Sequence, residues 1–187
     1  MAGNTPSLLE TYWRHLLMLI IVVGSFTLIL SLHPFGQNPE YHNFADRRAF
    51  FGIPNFLDVA SNLAFLIVGI IGLKICFKNY LGSMRNAWII LFAGITLVSV
   101  GSAYYHLNPN NQTLVWDRLP MTIGFMGLFA ALLGEYISEQ LGRYILIPAL
   151  LLGFSSVIYW HLFDDLRFYI WIQLIPLLTI PVIMILY

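Results

Sequence analysis

The chain reads as six long apolar runs separated by short polar interruptions. The runs extend over about His15 to Leu32, Phe56 to Phe77, Asn86 to Tyr105, Thr113 to Ile137, Arg143 to Leu162 and Phe168 to Tyr187. Each is close to the ~20 residues a helix needs to cross roughly 30 Å of hydrocarbon. They are continuous rather than alternating, so the pattern predicts helices and not the strands of a barrel. The interruptions HPFGQNPEYHNFADRRAFFGIPN, KNYLGSMR, LNPNNQ, SEQLGR and FDDLR carry the Pro, Gly, Asn and charge that end helices. The expected architecture is all-α: one polytopic transmembrane domain over residues 1–187, with spans 15–32, 56–77, 86–105, 113–137, 143–162 and 168–187. Pro176 and Pro181 fall inside the sixth span, where neighbouring helices tolerate a kink.

Composition strengthens this picture. The 187 residues are 59% hydrophobic and 10% charged, whereas soluble domains carry about 25% charged residues. The surplus apolar surface must face lipid, which makes the bilayer itself a partner. Lys plus Arg and Asp plus Glu balance at nine each, which argues against a nucleic-acid partner. Oligomeric state stays open. A single cysteine, Cys76, excludes an internal disulfide and any multi-cysteine zinc site. The start, MAGNTPSLLETYWRH, lacks the cationic opening of a cleaved signal, so the first run reads as a retained span.

Charge sets an orientation. The N-terminal tail and the second and fourth connections hold Arg14, Lys74, Lys78, Arg85 and Arg143; the other connections hold Arg47, Arg48 and Arg167. This bias favours a cytoplasmic N-terminus and puts the third connection on the non-cytoplasmic side. Aromatics near span ends, among them Tyr104, Tyr105, Trp116, Tyr159, Trp160 and Tyr169, read as interface belts. Glu135 and Glu139 read as solvated where the fourth span ends. The sixth run finishes at Tyr187 without flanking polar residues, which leads to the expectation that further helices follow.

The stretch GSAYYHLNPNNQTLVWDRLPM, Gly101 to Met121, carries the candidate chemistry. Ser102 and His106 are four apart and share a helix face. Asp117 lies about one turn into the next span, and a helical hairpin brings its carboxylate to the depth of the imidazole. Ionisable groups inside a span are costly and mark functional sites by default. Histidine is the commonest zinc ligand, a serine hydroxyl can donate to a developing oxyanion, and an aspartate can accept a proton or orient a histidine. The alternative leaves Ser102 bonded to its own helix, His106 anchored at the interface and Asp117 paired with Arg118. Asp58, Ser61 and Asn62 form a polar seam on the second span, either as helix–helix glue or as support for a metal site.

GSAYYH followed by WDRLPM resembles the alkaline ceramidase family of integral-membrane hydrolases, and its bacterial members in particular. IPNFLDVASN and DDLRFYIWIQLIPLL extend the likeness over most of the chain from Tyr41 onward. That family belongs to a wider superfamily with adiponectin-receptor-like proteins. The resemblance implies a zinc-dependent intramembrane amidase acting on ceramide or a related N-acyl sphingoid lipid, with fatty acid and long-chain base as products. His106 would then be a zinc ligand, Ser102 would contact the attacking water or substrate carbonyl, and Asp117 would be the general acid/base. It further implies a multi-pass protein of a bacterial inner membrane. A calcium ion held by Asp46 and Asn55 is also implied; the competing reading pairs Asp46 with a neighbouring arginine. The family's HxxxH zinc motif does not occur in this sequence. The remaining alternatives are a non-catalytic lipid-sensing or receptor-like member of the superfamily and an inactive fragment.

Overall fold

The computed structural model describes residues 8–44, 46–79 and 81–187. Its helices are α1 (Leu8–Ser31), α2 (Phe56–Ser61), α3 (Leu63–Lys78), α4 (Arg85–Leu107), α5 (Asn111–Tyr136), α6 (Glu139–Phe163) and α7 (Arg167–Leu186). Short 3-10 turns at Pro39–His42 and Gly82–Met84 complete the regular structure, and among the described residues there is no strand. The fold is all-α. Six segments, with α2 and α3 counted together, are long and apolar enough to cross a membrane.

The second span is broken where the hydrophobic pattern predicts one helix. The Asn62 side chain donates to the carbonyls of Asp58 and Val59 at 2.8 and 3.4 Å. An amide inserted into the backbone ladder in this way is a recognised cause of a kink. At other ends the helices outrun the apolar runs. Asn110 caps α5 by accepting from the amides of Gln112 and Thr113 at 2.9 and 3.0 Å. Thr113 Oγ1 in turn accepts from the Asn110 amide at 3.2 Å, closing a capping box. The helix therefore begins at Asn111, and Asp117 sits nearly two turns inside it rather than one.

Packing makes α5 the axis of the molecule. Half of its apolar window is buried, against 11% for α1 and 17% for α2–α3. It contacts α4 on one side and α6 and α7 on the other, while α3 lies outside α4 and α1 outside α7. The α1–α7 pair is antiparallel. Arg167, opening α7, donates to the carbonyls of Leu30 and Leu32 at the end of α1, and Tyr187 stacks edge-on against His15 near its start. The α4–α5 seam is a backbone-to-backbone contact. A Cβ on Gly94 would collide with the Gly124 backbone, and one on Gly101 with the Trp116 carbonyl oxygen. Pro120 has no N–H to give that carbonyl, its partner one turn back, so the freed oxygen faces the neighbouring helix.

Candidate active site

The backbone contact between Gly101 and Trp116 has a direct chemical result: the residues that follow them, Ser102 and Asp117, end up facing each other across the seam. Both line the polar end of a groove of about 410 Å³. Ser102 is buried and Asp117 half-buried, and the two share that end of the groove. His106 lies one turn further along α4 from Ser102. Its ring packs on Phe44, with centroids 4.7 Å apart, and its Nδ1 is buried without a hydrogen-bond partner. Below the polar pair the groove is apolar, walled by Phe65, Ile95, Phe125 and Leu128. It therefore offers a hydroxyl and a carboxylate at one end of a greasy channel.

Several residues of 32–44 and 46–55 bond to the ends of the helices. Asn55, itself in a left-handed conformation, donates its Nδ2 to the His106 carbonyl at 2.8 Å. His42 lies 2.8 Å from both the Tyr105 hydroxyl and Asn111 Oδ1, joining the ends of α4 and α5. Gln37 accepts from Arg118, and its backbone N–H donates to Asp164 at 3.2 Å.

Several expectations need correction here. Arg118 does not pair with Asp117. It is 94% buried, its guanidinium carbon lies 4.1 Å from the ring centre of Trp160 and 4.6 Å from that of Tyr169, and Gln37 takes its Nη2 proton. Tyr105, Trp160 and Tyr169 are accordingly core residues and not interface belts. Glu135 is engaged rather than merely solvated, accepting from Trp88 Nε1 at 2.7 Å, and Glu139 pairs with Arg143 at 3.4 Å.

Of the polar seam, Ser61 bonds back to the Asp58 carbonyl at 2.9 Å and Asn62 makes the kink, so both are local. Asp58 Oδ2 is buried and unpartnered. At the suggested calcium position, Asp46 accepts from Arg48 Nε at 2.6 Å and from the Leu57 N–H at 2.9 Å. Those two donors hold its carboxyl below the ordinary range, Arg48 foremost. Calcium needs about six to eight oxygens; both Asp46 oxygens already accept from Arg48 and Leu57, and Asn55 has only its Oδ1 to add, so these two residues do not make such a site. For zinc, the free Nδ1 of His106 is a suitable donor. Among the described residues, no three His, Cys, Asp or Glu side chains gather to hold a metal.

A family model described as Ceramidase matches residues 50–187, nearly three quarters of the chain. The chain belongs to the ceramidase family. No curated protein and no solved structure matches it. Membership brings a general role in ceramide hydrolysis and a lipid substrate from the bilayer. The facing pair Ser102 and Asp117, His106 and the whole apolar groove fall within the matched region, whereas Gln37, His42 and Asp46 precede it. The residues sequence reasoning missed are Gly101 and Pro120, which set the seam, and Tyr105, His42 and Arg118, which brace the rim. Only Pro120 left a signal, a helix-breaking residue inside an apolar run.

Proposed function

We propose that this ceramidase-family chain hydrolyses the amide of ceramide or a related N-acyl sphingoid lipid within the membrane, at the Ser102–Asp117–His106 end of the groove. One observation carries the reading: a hydroxyl and a carboxylate share one end of an apolar groove between helices long enough to span a membrane. An acyl chain lies along Ile95, Phe125 and Leu128, and the amide reaches Ser102 and Asp117. Apolar burial favours the tail by about 0.8 kcal/mol per CH₂. Groove shape and the few polar groups fix orientation.

In the reaction, water adds to the amide carbon while Asp117 takes a proton from it. The Ser102 hydroxyl donates to the oxygen that gains negative charge; a donor of this kind is worth about 2.7–4 kcal/mol. Asp117 then delivers its proton to the departing amine, the C–N bond breaks, and fatty acid and long-chain base leave. His106 would contribute one ligand to zinc, which when bound supplies Lewis acidity and lowers the pKa of water to about 7. In this reading the site faces the non-cytoplasmic side of a bacterial inner membrane.

The test is release of fatty acid from a fluorescent ceramide by the purified chain in mixed micelles, with and without a chelator. Ser102→Ala, His106→Ala and Asp117→Ala are each expected to lower turnover by at least ~100-fold, with thermal unfolding retained. Undiminished turnover in Asp117→Ala would sink the assignment. A lipid-binding relative without turnover is the second reading, favoured by the lack of a three-ligand group among the described residues. Saturable ceramide binding with no product would select it.

A further inference from the structure

The groove that begins at Ser102 and Asp117 has a far end, and two stripes of side chains run down to it. On α4 the stripe passes from Ser102 through Ile95 to Leu91, and on α5 from Asp117 through Gly124 to Leu128. Steps of seven and four keep each stripe on one helix face. Gly101 meets Trp116 and Gly94 meets Gly124, so the helices are antiparallel and the stripes descend together. Each covers eleven residues (91 to 102 and 117 to 128). At about 1.5 Å per residue the groove is about 16 Å long. Past Leu91 and Leu128 the two helices close on each other. A Cβ on Gly127 would lie 2.8 Å from the Leu91 backbone nitrogen and 3.0 Å from the Ala87 carbonyl oxygen. Ala87 is buried with Ala130 and Ala131, and Trp88 Nε1 donates across the pair to Glu135 at 2.7 Å.

We propose that Leu91 and Leu128 determine specificity: they are the floor of the groove and set the length of the amide-linked acyl chain it accepts. This rests on the hydrolase reading above and names the part of the lipid that enters. A saturated chain advances about 1.25 Å per carbon, because bonds of ~1.5 Å zigzag at tetrahedral angles, so about 16 Å takes about 13 carbons. The groove also selects between the two tails of the lipid. It turns apolar within one turn of Ser102 and Asp117, at Val98, Pro120 and Met121. The acyl tail is apolar from the first carbon beyond the carbonyl. The long-chain base instead carries hydroxyl groups beside its nitrogen, and burying those without partners is costly.

The experiment varies each tail in turn, using the full chain in mixed micelles: acyl chains from hexanoyl to eicosanoyl on one base, then bases of different length on one acyl chain. Turnover is expected to rise at least ~2-fold per acyl methylene up to about 13 carbons and to level off or fall beyond. Leu91→Trp and Leu128→Trp raise the floor and are expected to lower the dodecanoyl-to-octanoyl ratio at least ~10-fold. Leu91→Ala lowers the floor and is expected to raise the hexadecanoyl-to-dodecanoyl ratio. A dodecanoyl ceramide with a diazirine on its last carbon gives a readout that needs no turnover. On irradiation of the wild type it is expected to label the stretch holding Leu91 or that holding Leu128, and excess unlabelled ceramide is expected to compete. If the variants respond to the length of the base, or to neither length, these leucines are not the acyl floor and the hydrolase reading stands. Competed labelling there without any product keeps the floor and removes the hydrolase. Labelling elsewhere overturns the floor.

Discussion

At the scale of single residues, Arg118 is the least expected feature. A charge beside Asp117 reads in the sequence as its counter-ion, because neighbours in sequence are the only partners a sequence displays. Successive helix positions point about 100° apart, however, and Arg118 turns into an aromatic cage made by the loop, α6 and α7. The planar guanidinium stacks on rings where an ammonium cannot. Arg118→Lys is therefore expected to lower stability by about 2 kcal/mol, read as thermal unfolding in micelles. An equal loss in Gln37→Leu would instead mark the hydrogen bond as the dominant contact. That Ser102 and Asp117 share one groove was legible from their places at the adjoining ends of two consecutive spans. Tyr105 and His42 were not, since each has meaning only through a partner 63 residues away.

At the scale of elements, the α4–α5 hairpin depends on a proline that withholds a hydrogen and a glycine that withholds a side chain. Gly101→Ala pushes a methyl against the Trp116 carbonyl and forces the helices apart beside the facing pair. A loss of at least ~10-fold in ceramide turnover is expected, since about 1 Å of misplacement can cost ~100-fold. Gly24→Ala on α1 meets open space and serves as the neutral control. The span count and the third, fourth and fifth connections were readable because runs of twenty apolar residues leave little choice in lipid. The break in the second span was not, because the apolar pattern continues through Asn62 and only the reach of its amide reveals the kink. Helix starts were missed by two to four residues where polar caps, at Asn110 and Ser138, precede the greasy run.

At the scale of the whole molecule, two carboxylates outside the spans fasten the loop and α7 to the bundle. Asp165 is held below the usual carboxylate range, first by the Arg167 guanidinium and then by the Arg167 N–H. Asp46 is held down by Arg48 and Leu57. A lowered folded-state pKa adds stability that is complete above the ordinary value of about 3.9 and disappears as pH falls through the lower one. Thermal unfolding temperature in micelles should thus be flat near neutrality and fall below about pH 4. Asp165→Asn should flatten that acid limb while lowering stability at pH 7; an unchanged limb would show that other groups govern it. The bare outer faces of α1 and α3 were foreseeable from composition alone, whereas the central place of α5 was not. Its sequence is the least hydropathic of the six segments, and a more polar span is more easily mistaken for a peripheral one than recognised as the hub.

The seam between α4 and α5 bears on how such a protein is born. Its two strands of chain are consecutive, joined by three residues, and they meet backbone to backbone without help from any distant segment. A pair of this kind can leave the translocation machinery together and already hold Ser102 and Asp117 at their spacing before α6 and α7 arrive. Whatever else the bilayer assembles around it, the spacing of those two side chains travels with the hairpin.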